Sequence, residues 1–261
     1  MNILVLLRMV PDVVEELEIA PDGKRLDTEF LRMILSESDD HALEEALILK
    51  ERHGGKVTVL ATAAPDIDDV LFAALAKGAD RVVKIAGGDG GLSAREAAHV
   101  FAFTLQKEAG LLPADLILTG VQAIDDLDSL IAPLVGHLLR LPYLGIVTQV
   151  AVGEGAKVAT VLKEYSGGVR GEFEVSLPAV LGIQAAEKPP RYVPVAKVRA
   201  AMKSSKIDAI AAPDLAAANR SLLEVIEMKK PEVTGHAEML EGAPEAVSSK
   251  LVGILSERGL L

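Results

Sequence analysis

The chain has 261 residues, 50% of them hydrophobic, which is enough for one well-buried α/β domain with an appendage or for two small domains. Its 38 acidic and 27 basic side chains give a formal net charge of -11, which argues against a broad nucleic-acid surface, because phosphate binding needs clustered positive charge. Cysteine is absent, so disulfides, iron–sulfur clusters and cysteine nucleophiles are excluded. The histidines lie far apart, and no metal site is predicted.

The first apolar segment, residues 1–8, is far too short to span a membrane. It lacks a basic leader and a small-residue cleavage site, so we expect a first buried strand of a cytoplasmic protein without a transmembrane segment. A polar stretch follows, in which Pro21-Asp22-Gly23 favours a small hairpin.

Helices and buried strands alternate from residue 39 to residue 138. The pattern predicts strands over 57–62, 81–85 and 115–119 between helices, with Gly54 and Gly78 at helix ends and a weak capping box of Ser36 with Asp39. This alternation predicts a parallel sheet with right-handed crossovers. The glycine-rich run at 87–91 lacks the Lys-Ser or Lys-Thr pair of a phosphate loop, so we expect a connector there.

Shorter strands follow Pro142, and their turn signals predict an antiparallel extension on one edge of the sheet. Residues 189–213 are basic, which favours docking on an acidic partner over a solvated linker. An amphipathic helix is expected to start within residues 241–245, with Pro244 in its first turn. The predicted fold is α/β, a doubly wound, mostly parallel sheet of the adenine-nucleotide-binding type with an antiparallel edge extension. The domain would span 1–188, and a partner-binding arm with the C-terminal helix would span 189–261.

The segment from Leu116 to Asp126 carries the most chemical information. An apolar strand runs into Gly120, where the backbone can turn sharply and approach a ligand, and then into polar and acidic residues. Amides at the start of the next helix can bind phosphate oxygens. The pattern favours a nucleotide-binding turn; an ordinary turn with solvated Asp125 and Asp126 is the alternative that the motif alone leaves open.

Several separate motifs resemble those of electron-transfer flavoprotein beta subunits, over residues 1–206 and in the same order. Residues 120–126 match the family signature Gly-Lys-Gln-Ala-Ile-Asp-Asp at every position but one. The other matching motifs are Glu44-Glu45-Ala46 with Leu49-Lys50-Glu51, Gly78-Ala79-Asp80-Arg81, Leu177-Pro178-Ala179-Val180 and Pro190-Arg191-Tyr192.

This resemblance implies an electron carrier in which the flavin supplies the chemistry and no side chain acts as acid, base or nucleophile. A beta subunit of this family pairs with an alpha subunit that holds most of an FAD. It binds AMP itself or, in bifurcating members, a second FAD. The implied electron-transfer partners are acyl-CoA-type or other flavin dehydrogenases and a quinone-linked acceptor.

By position, the resemblance implies two sets of site residues. The cofactor-binding residues would lie at strand ends and helix starts on one side of the sheet; they are Leu6, Arg8, Ser36, Ser38, Asp39, Thr62, Gly120, Val121, Gln122, Ala123, Ile124, Asp125, Asp126 and Ser129. The partner-binding residues would lie on a recognition loop whose hydrophobic anchor is Val195; they are Arg191, Tyr192, Val195, Lys197 and Arg199.

Two stretches depart from the family pattern. Ser36-Glu37-Ser38 replaces an Asn-Pro-aromatic run, and residues 128–132 replace a polar run that holds phosphate, which leaves Ser129 and backbone amides as donors. These departures favour, as an alternative, a degenerate structural subunit that kept the interface but lost its own nucleotide. A nucleotide-dependent ligase or pyrophosphatase of similar fold would need a phosphate loop after the first strand, and Arg8-Met9-Val10-Pro11 does not provide one.

Overall fold

The computed structural model describes residues 1–87, 92–126, 128–153, 155, 157–213, 224–232, 235 and 237–261. The strands are β1 (Asn2–Leu7), β2 (Met9–Pro11), β3 (Met33–Leu35), β4 (Lys56–Thr62), β5 (Arg81–Ala86), β6 (Leu116–Gly120), β7 (Tyr143–Val152), β8 (Val158–Glu164), β9 (Arg170–Ser176), β10 (Ala179–Ile183) and β11 (Asp208–Ala211). The helices are α1 (Glu37–His53), α2 (Ile67–Lys77), α3 (Ala94–Lys107), α4 (Ile131–Leu139), α5 (Val195–Ser204) and α6 (Pro244–Glu257).

Within the described residues, the main sheet has nine strands in the order β11-β5-β4-β1-β6-β10-β7-β8-β9. The strands from β11 to β7 run parallel, while β8 and β9 are antiparallel to their neighbours. The doubly wound, mostly parallel α/β fold predicted from the sequence is confirmed. Strands β2 and β3 form a separate antiparallel pair beside the end of β1.

Strand β1 lies between β4, which follows it in the chain, and β6, which comes later. From β1 the chain therefore first winds towards β5 and then returns to build the other half of the sheet. Doubly wound sheets form a crevice at such a change of direction, outside the carboxyl ends of the two central strands. In this protein the crevice lies at the ends of β1 and β6.

Both faces of the sheet are covered because its strands are apolar on both sides. Ile3, Val5 and Leu7 of β1 pack into a core that includes Leu43 and Leu47 of α1. The alternate residues of the same strand, Leu4 and Leu6, pack into a second core together with residues of α3 and α4, among them Phe101, Leu105 and Val135. Because successive side chains of a strand point to opposite faces of the sheet, α1 and α2 cover one face and α3 and α4 cover the other.

The antiparallel extension at the edge of the sheet contains fewer strands than the sequence predicted. The short strands after Pro142 were expected to form it together, but β7 and β10 lie inside the parallel sheet, and β10 inserts between β6 and β7. Among the residues that the structure describes, only β8 and β9 form the antiparallel edge. The insertion of β10 is a long-range choice that the local strand patterns do not encode.

The basic segment after residue 189 contains secondary structure that the sequence did not predict. Helix α5 packs on α2, and β11 adds a parallel strand next to β5, at the opposite edge of the sheet from β9. The proposed division of the chain between residues 188 and 189 stays a prediction. Helix α6 begins at Pro244, as the sequence predicts.

Two expectations concern residues outside the described ranges. Residues 88–91 of the predicted connector lie outside the described residues, and so do residues 154 and 156 of the turn before β8. The hairpin signal at residues 21–23 is matched by an antiparallel bridge between Ile19 and Leu26.

Candidate functional site

The crevice at the ends of β1 and β6 is narrow. These strands are neighbours in parallel register, with Leu6 opposite Thr119. The cavity between them has a volume of about 10 Å³, which is room for about one water molecule. It is lined by Leu6, Arg8, Asp39, Phe101, Thr119, Gly120, Val121, Gln122, Ala123, Asp126 and Ile131.

Asp39, in the first turn of α1, joins the two strand ends. Its Oδ2 accepts the backbone N–H of Arg8 at 2.8 Å, and its Oδ1 accepts the backbone N–H of Gly120 at 2.7 Å. Burial raises the pKa of the Asp39 carboxyl from 3.8 to about 6, against the lowering effect of these two donors. The capping box expected for Ser36 and Asp39 is wrong, because this carboxylate bonds to the strand ends and Ser36 makes no side-chain cap bond.

Gly120 makes the close approach of α1 possible. A Cβ atom at this position would lie 2.2 Å from Ser38 Oγ and 2.5 Å from Asp39 Oδ1. The close contacts therefore require glycine at this position. Its backbone conformation does not, because its φ lies outside the left-handed region.

Asp126 organises the turn that follows β6. It is 7% exposed, and its Oδ1 accepts the backbone N–H groups of Asp128 at 3.1 Å and Ser129 at 3.2 Å. Gln122 donates from Nε2 to the backbone oxygen of Asp126 at 2.7 Å. Asp126 is thus a structural acceptor inside the turn, whereas Asp125 is exposed.

Arg8 and Asp125 form an ion pair across the mouth of the crevice. Nη2 of Arg8 lies 2.5 Å from Oδ1 of Asp125, and the two side chains are 11% and 40% exposed. Two serines before and within α1 border the same turn. Ser38 donates from Oγ to the backbone oxygen of Gln122 at 2.6 Å, and its Oγ is 3.3 Å from Ser36 Oγ.

Most of the predicted cofactor-binding residues meet at this crevice. Ser36, Ser38, Asp125 and Ser129 border it through the hydrogen bonds described above. Thr62, at the end of β4, and Ile124, which is 65% exposed, do not line it. The list of predicted residues omitted Phe101, Thr119 and Ile131, which also line the cavity. None has a local signature of a ligand site: Phe101 belongs to the apolar face of α3, Thr119 precedes the glycine in a buried strand, and Ile131 is the apolar first residue of α4.

The predicted partner-binding residues divide into one anchor and an exposed surface. Arg191 donates from Nε and Nη2 to the buried carboxylate of Glu44, at distances of 2.8 to 3.0 Å, and from Nη1 to Glu51 at 2.6 Å. The carboxylate partners, Glu44 first, raise the pKa of Arg191. Tyr192 is 84% exposed and Val195 is 61% exposed, and Lys197 and Arg199 are also exposed.

The segment before Arg191 is also fixed to α1. Glu45 accepts the backbone N–H groups of Val150 at 3.0 Å and Glu187 at 2.9 Å. Burial raises the pKa of the Glu45 carboxyl, and the same two donors oppose that rise. The matching motif at residues 44–46 therefore supplies two buried carboxylates that hold the start of the arm against the domain.

An adenine nucleotide does not fit the crevice as it is arranged. Ligand pockets usually have volumes of roughly 300 Å³ or more, and this cavity holds about one water molecule. Asp39 and Asp126 both line it, and the guanidinium of Arg8 is paired with Asp125.

The central crevice and the two helical layers define a doubly wound α/β protein. A family model described as the electron transfer flavoprotein domain matches residues 26–215. The beta subunit of an electron transfer flavoprotein from Methylophilus methylotrophus is 31% identical over 98% of both chains. The corresponding subunit from Syntrophomonas wolfei is 33% identical over 96% of this chain and 94% of its own. Subunit CarD of a caffeyl-CoA reductase–Etf complex from Acetobacterium woodii is 28% identical over the full length of both chains.

The chain belongs to the electron transfer flavoprotein beta-subunit family, and its role is therefore in electron transfer. In the described part of the chain, no helix combines the length and apolar character needed to cross a membrane.

Proposed function

We propose that this protein is the beta subunit of a heterodimer whose alpha subunit shares an FAD with it. The full-length match to beta subunits of electron transfer flavoproteins carries this proposal. The bound FAD would accept and release electrons, while this chain contributes position and electrostatic environment. The proposal needs no acid, base or nucleophile from this chain.

The exposed part of the arm is the proposed contact with electron-transfer partners. Tyr192 and Val195 present apolar surface, and Lys197 and Arg199 place positive charge beside it. Aromatic and apolar anchors of this kind contribute strongly to protein interfaces. Arg191 would act as a positioning residue, since its guanidinium is engaged by Glu44 and Glu51.

The partners that we propose are acyl-CoA-type or other flavin dehydrogenases and a quinone-linked acceptor. One relative is named as a subunit of a caffeyl-CoA reductase–Etf complex, which supports a dehydrogenase or reductase partner of the CoA-ester class. The simple form with one FAD and one AMP and the bifurcating form with two FAD both agree with family membership. The cytoplasmic location stays a prediction from the sequence.

AMP or a second FAD in the beta chain itself was the sequence-based expectation. The crevice that would hold either one fits neither in its present arrangement. This mismatch favours a second candidate function, a structural subunit that kept its interface and fold but no longer holds a nucleotide.

The proposed function can be tested by co-expression with the alpha subunit. The purified heterodimer should contain FAD, released by denaturation and quantified by chromatography, and its flavin absorbance should bleach when a reduced dehydrogenase partner is added. The beta chain purified alone should retain little FAD. A heterodimer that contains FAD but exchanges no electrons would favour the structural subunit, and a heterodimer without flavin would contradict the electron-carrier proposal.

A further inference from the structure

The hydrogen-bond donors at the ends of β1 and β6 are of the kinds that bind phosphate in proteins. They include the guanidinium of Arg8, the backbone N–H of Gly120, and the backbone N–H groups of Asp128 and Ser129 in the turn before α4. Backbone amides before a helix, together with an arginine, form a common anion-binding arrangement.

Each of these donors is bonded to a carboxylate of the chain itself. The N–H of Gly120 donates to Asp39 at 2.7 Å. The N–H groups of Asp128 and Ser129 donate to Asp126 at 3.1 and 3.2 Å. Nη2 of Arg8 donates to Asp125 at 2.5 Å, so three aspartates together engage the guanidinium and the three backbone N–H groups.

The charge of the crevice also opposes an anion. Among the described residues that line it, Arg8 is the only cation, whereas Asp39 and Asp126 are both lining carboxylates. A phosphate entering here would have to displace Asp125 from Arg8 and would then lie near three carboxylates. Like charges that lie close together in a poorly hydrated site repel each other.

We propose that Asp125 substitutes for a nucleotide phosphate: its carboxylate, paired with Arg8, closes the crevice, and the beta chain folds and assembles without AMP or a second FAD of its own. The ion pair would join the end of β1 to the turn after β6, as a bound phosphate would otherwise do. Asp125 and Arg8 are then positioning residues of a closed site.

This inference rests on the proposed function in one respect, namely that the protein to be tested is the heterodimer with the alpha subunit. Nucleotides released from the purified complex should comprise one FAD and no AMP per heterodimer. Millimolar AMP added to the complex should leave the melting temperature unchanged, because a ligand that binds the native state raises it. Co-purified AMP, a second FAD, or a higher melting temperature with AMP would overturn the inference. Absence of flavin would instead contradict the proposed function.

The ion pair itself is tested by a double-mutant cycle in the same heterodimer. Asp125→Ala and Arg8→Ala should each lower the melting temperature, and the double variant should lower it no further than the more damaging single change, because the two residues act as a unit. Glu164→Ala is the matched control, since its carboxylate is also 40% exposed and pairs with Arg170 on the edge hairpin. Additive effects at Arg8 and Asp125, or effects no larger than that of the control, would overturn the role assigned to this pair.

Discussion

Arg191 and Glu44 form a bidentate ion pair between positions that are 147 residues apart in the chain. Nε of Arg191 donates to Oε2 of Glu44 at 2.9 Å, and Nη2 donates to Oε1 at 2.8 Å. The Glu44 side chain is only 4% exposed, and Arg191 lies against it as the neighbouring cation. The pair fixes the start of the arm to α1 and thereby determines where Tyr192 and Val195 meet solvent.

Glu44→Gln should therefore destabilise the chain. It leaves the partly buried guanidinium of Arg191 without its main carboxylate, and we expect a decrease of about 2 kcal/mol in the free energy of unfolding. Glu51→Gln removes the exposed carboxylate from the same guanidinium and should decrease it by less than about 1 kcal/mol. Urea unfolding of both variants checks the difference, and equal midpoints would contradict the anchor role of Glu44.

Gly120→Ala should be strongly destabilising. The added methyl group would lie 2.2 Å from Ser38 Oγ and 2.8 Å from the backbone nitrogen of Asp39, so α1 must move away from the end of β6. Overpacking of this kind decreases stability by about 1–3 kcal/mol. Gly253→Ala in α6 is the matched control, because its added Cβ has no atom within 4 Å apart from its chain neighbours and the backbone of its own helix, and alanine favours a helix. Thermal unfolding should show a lower midpoint for the first variant only.

Asp39 should give the folding stability a distinct pH dependence. Its pKa rises from 3.8 to about 6 on folding, because burial disfavours the carboxylate. The folded chain then binds this proton more tightly than the unfolded chain does. The resulting stabilisation is fully present below about pH 4 and is lost as the pH rises through about 6. At about 1.4 kcal/mol per pKa unit, it amounts to about 3 kcal/mol.

The experiment compares the wild type with Asp39→Asn between pH 4 and pH 7. The advantage of the wild type in free energy of unfolding should shrink across this window, since asparagine does not titrate. Asp22→Asn is the control, because the Lys24 N–H and the Arg25 side chain lower the pKa of that exposed carboxyl. A pH-independent difference for Asp39→Asn would show that its pKa is not raised.

Val195→Asp should slow electron transfer to a partner dehydrogenase and leave the flavin content unchanged. The side chain is 61% exposed at the first position of α5, where aspartate is compatible with the helix dipole, so folding should persist. The slower rate would come from a charge placed in an apolar contact. Val169→Asp is the matched control, because it makes the same change at a side chain that is 60% exposed on the turn between β8 and β9. Rates equal to the wild type would remove Val195 from the contact surface.

The sequence was sufficient where the determining interactions are local or the motif is specific. Apolar runs and helix-ending glycines such as Gly54 and Gly78 fixed the α/β alternation, because these signals act over a few residues. The separated motifs identified the family. The turn after β6 was recognised as the candidate site for the same reason, since a glycine after a buried strand is a local pattern.

Only the tertiary structure decided how distant groups pair. It joined Arg191 to Glu44, inserted β10 between β6 and β7, and added β11 to the far edge of the sheet. It also brought Asp39 to Gly120 and Asp125 to Arg8, so that residues expected to receive a nucleotide bond to one another. These pairings depend on strand order and on the packing of helices, and a local pattern carries no information about which distant donor a buried carboxylate will meet.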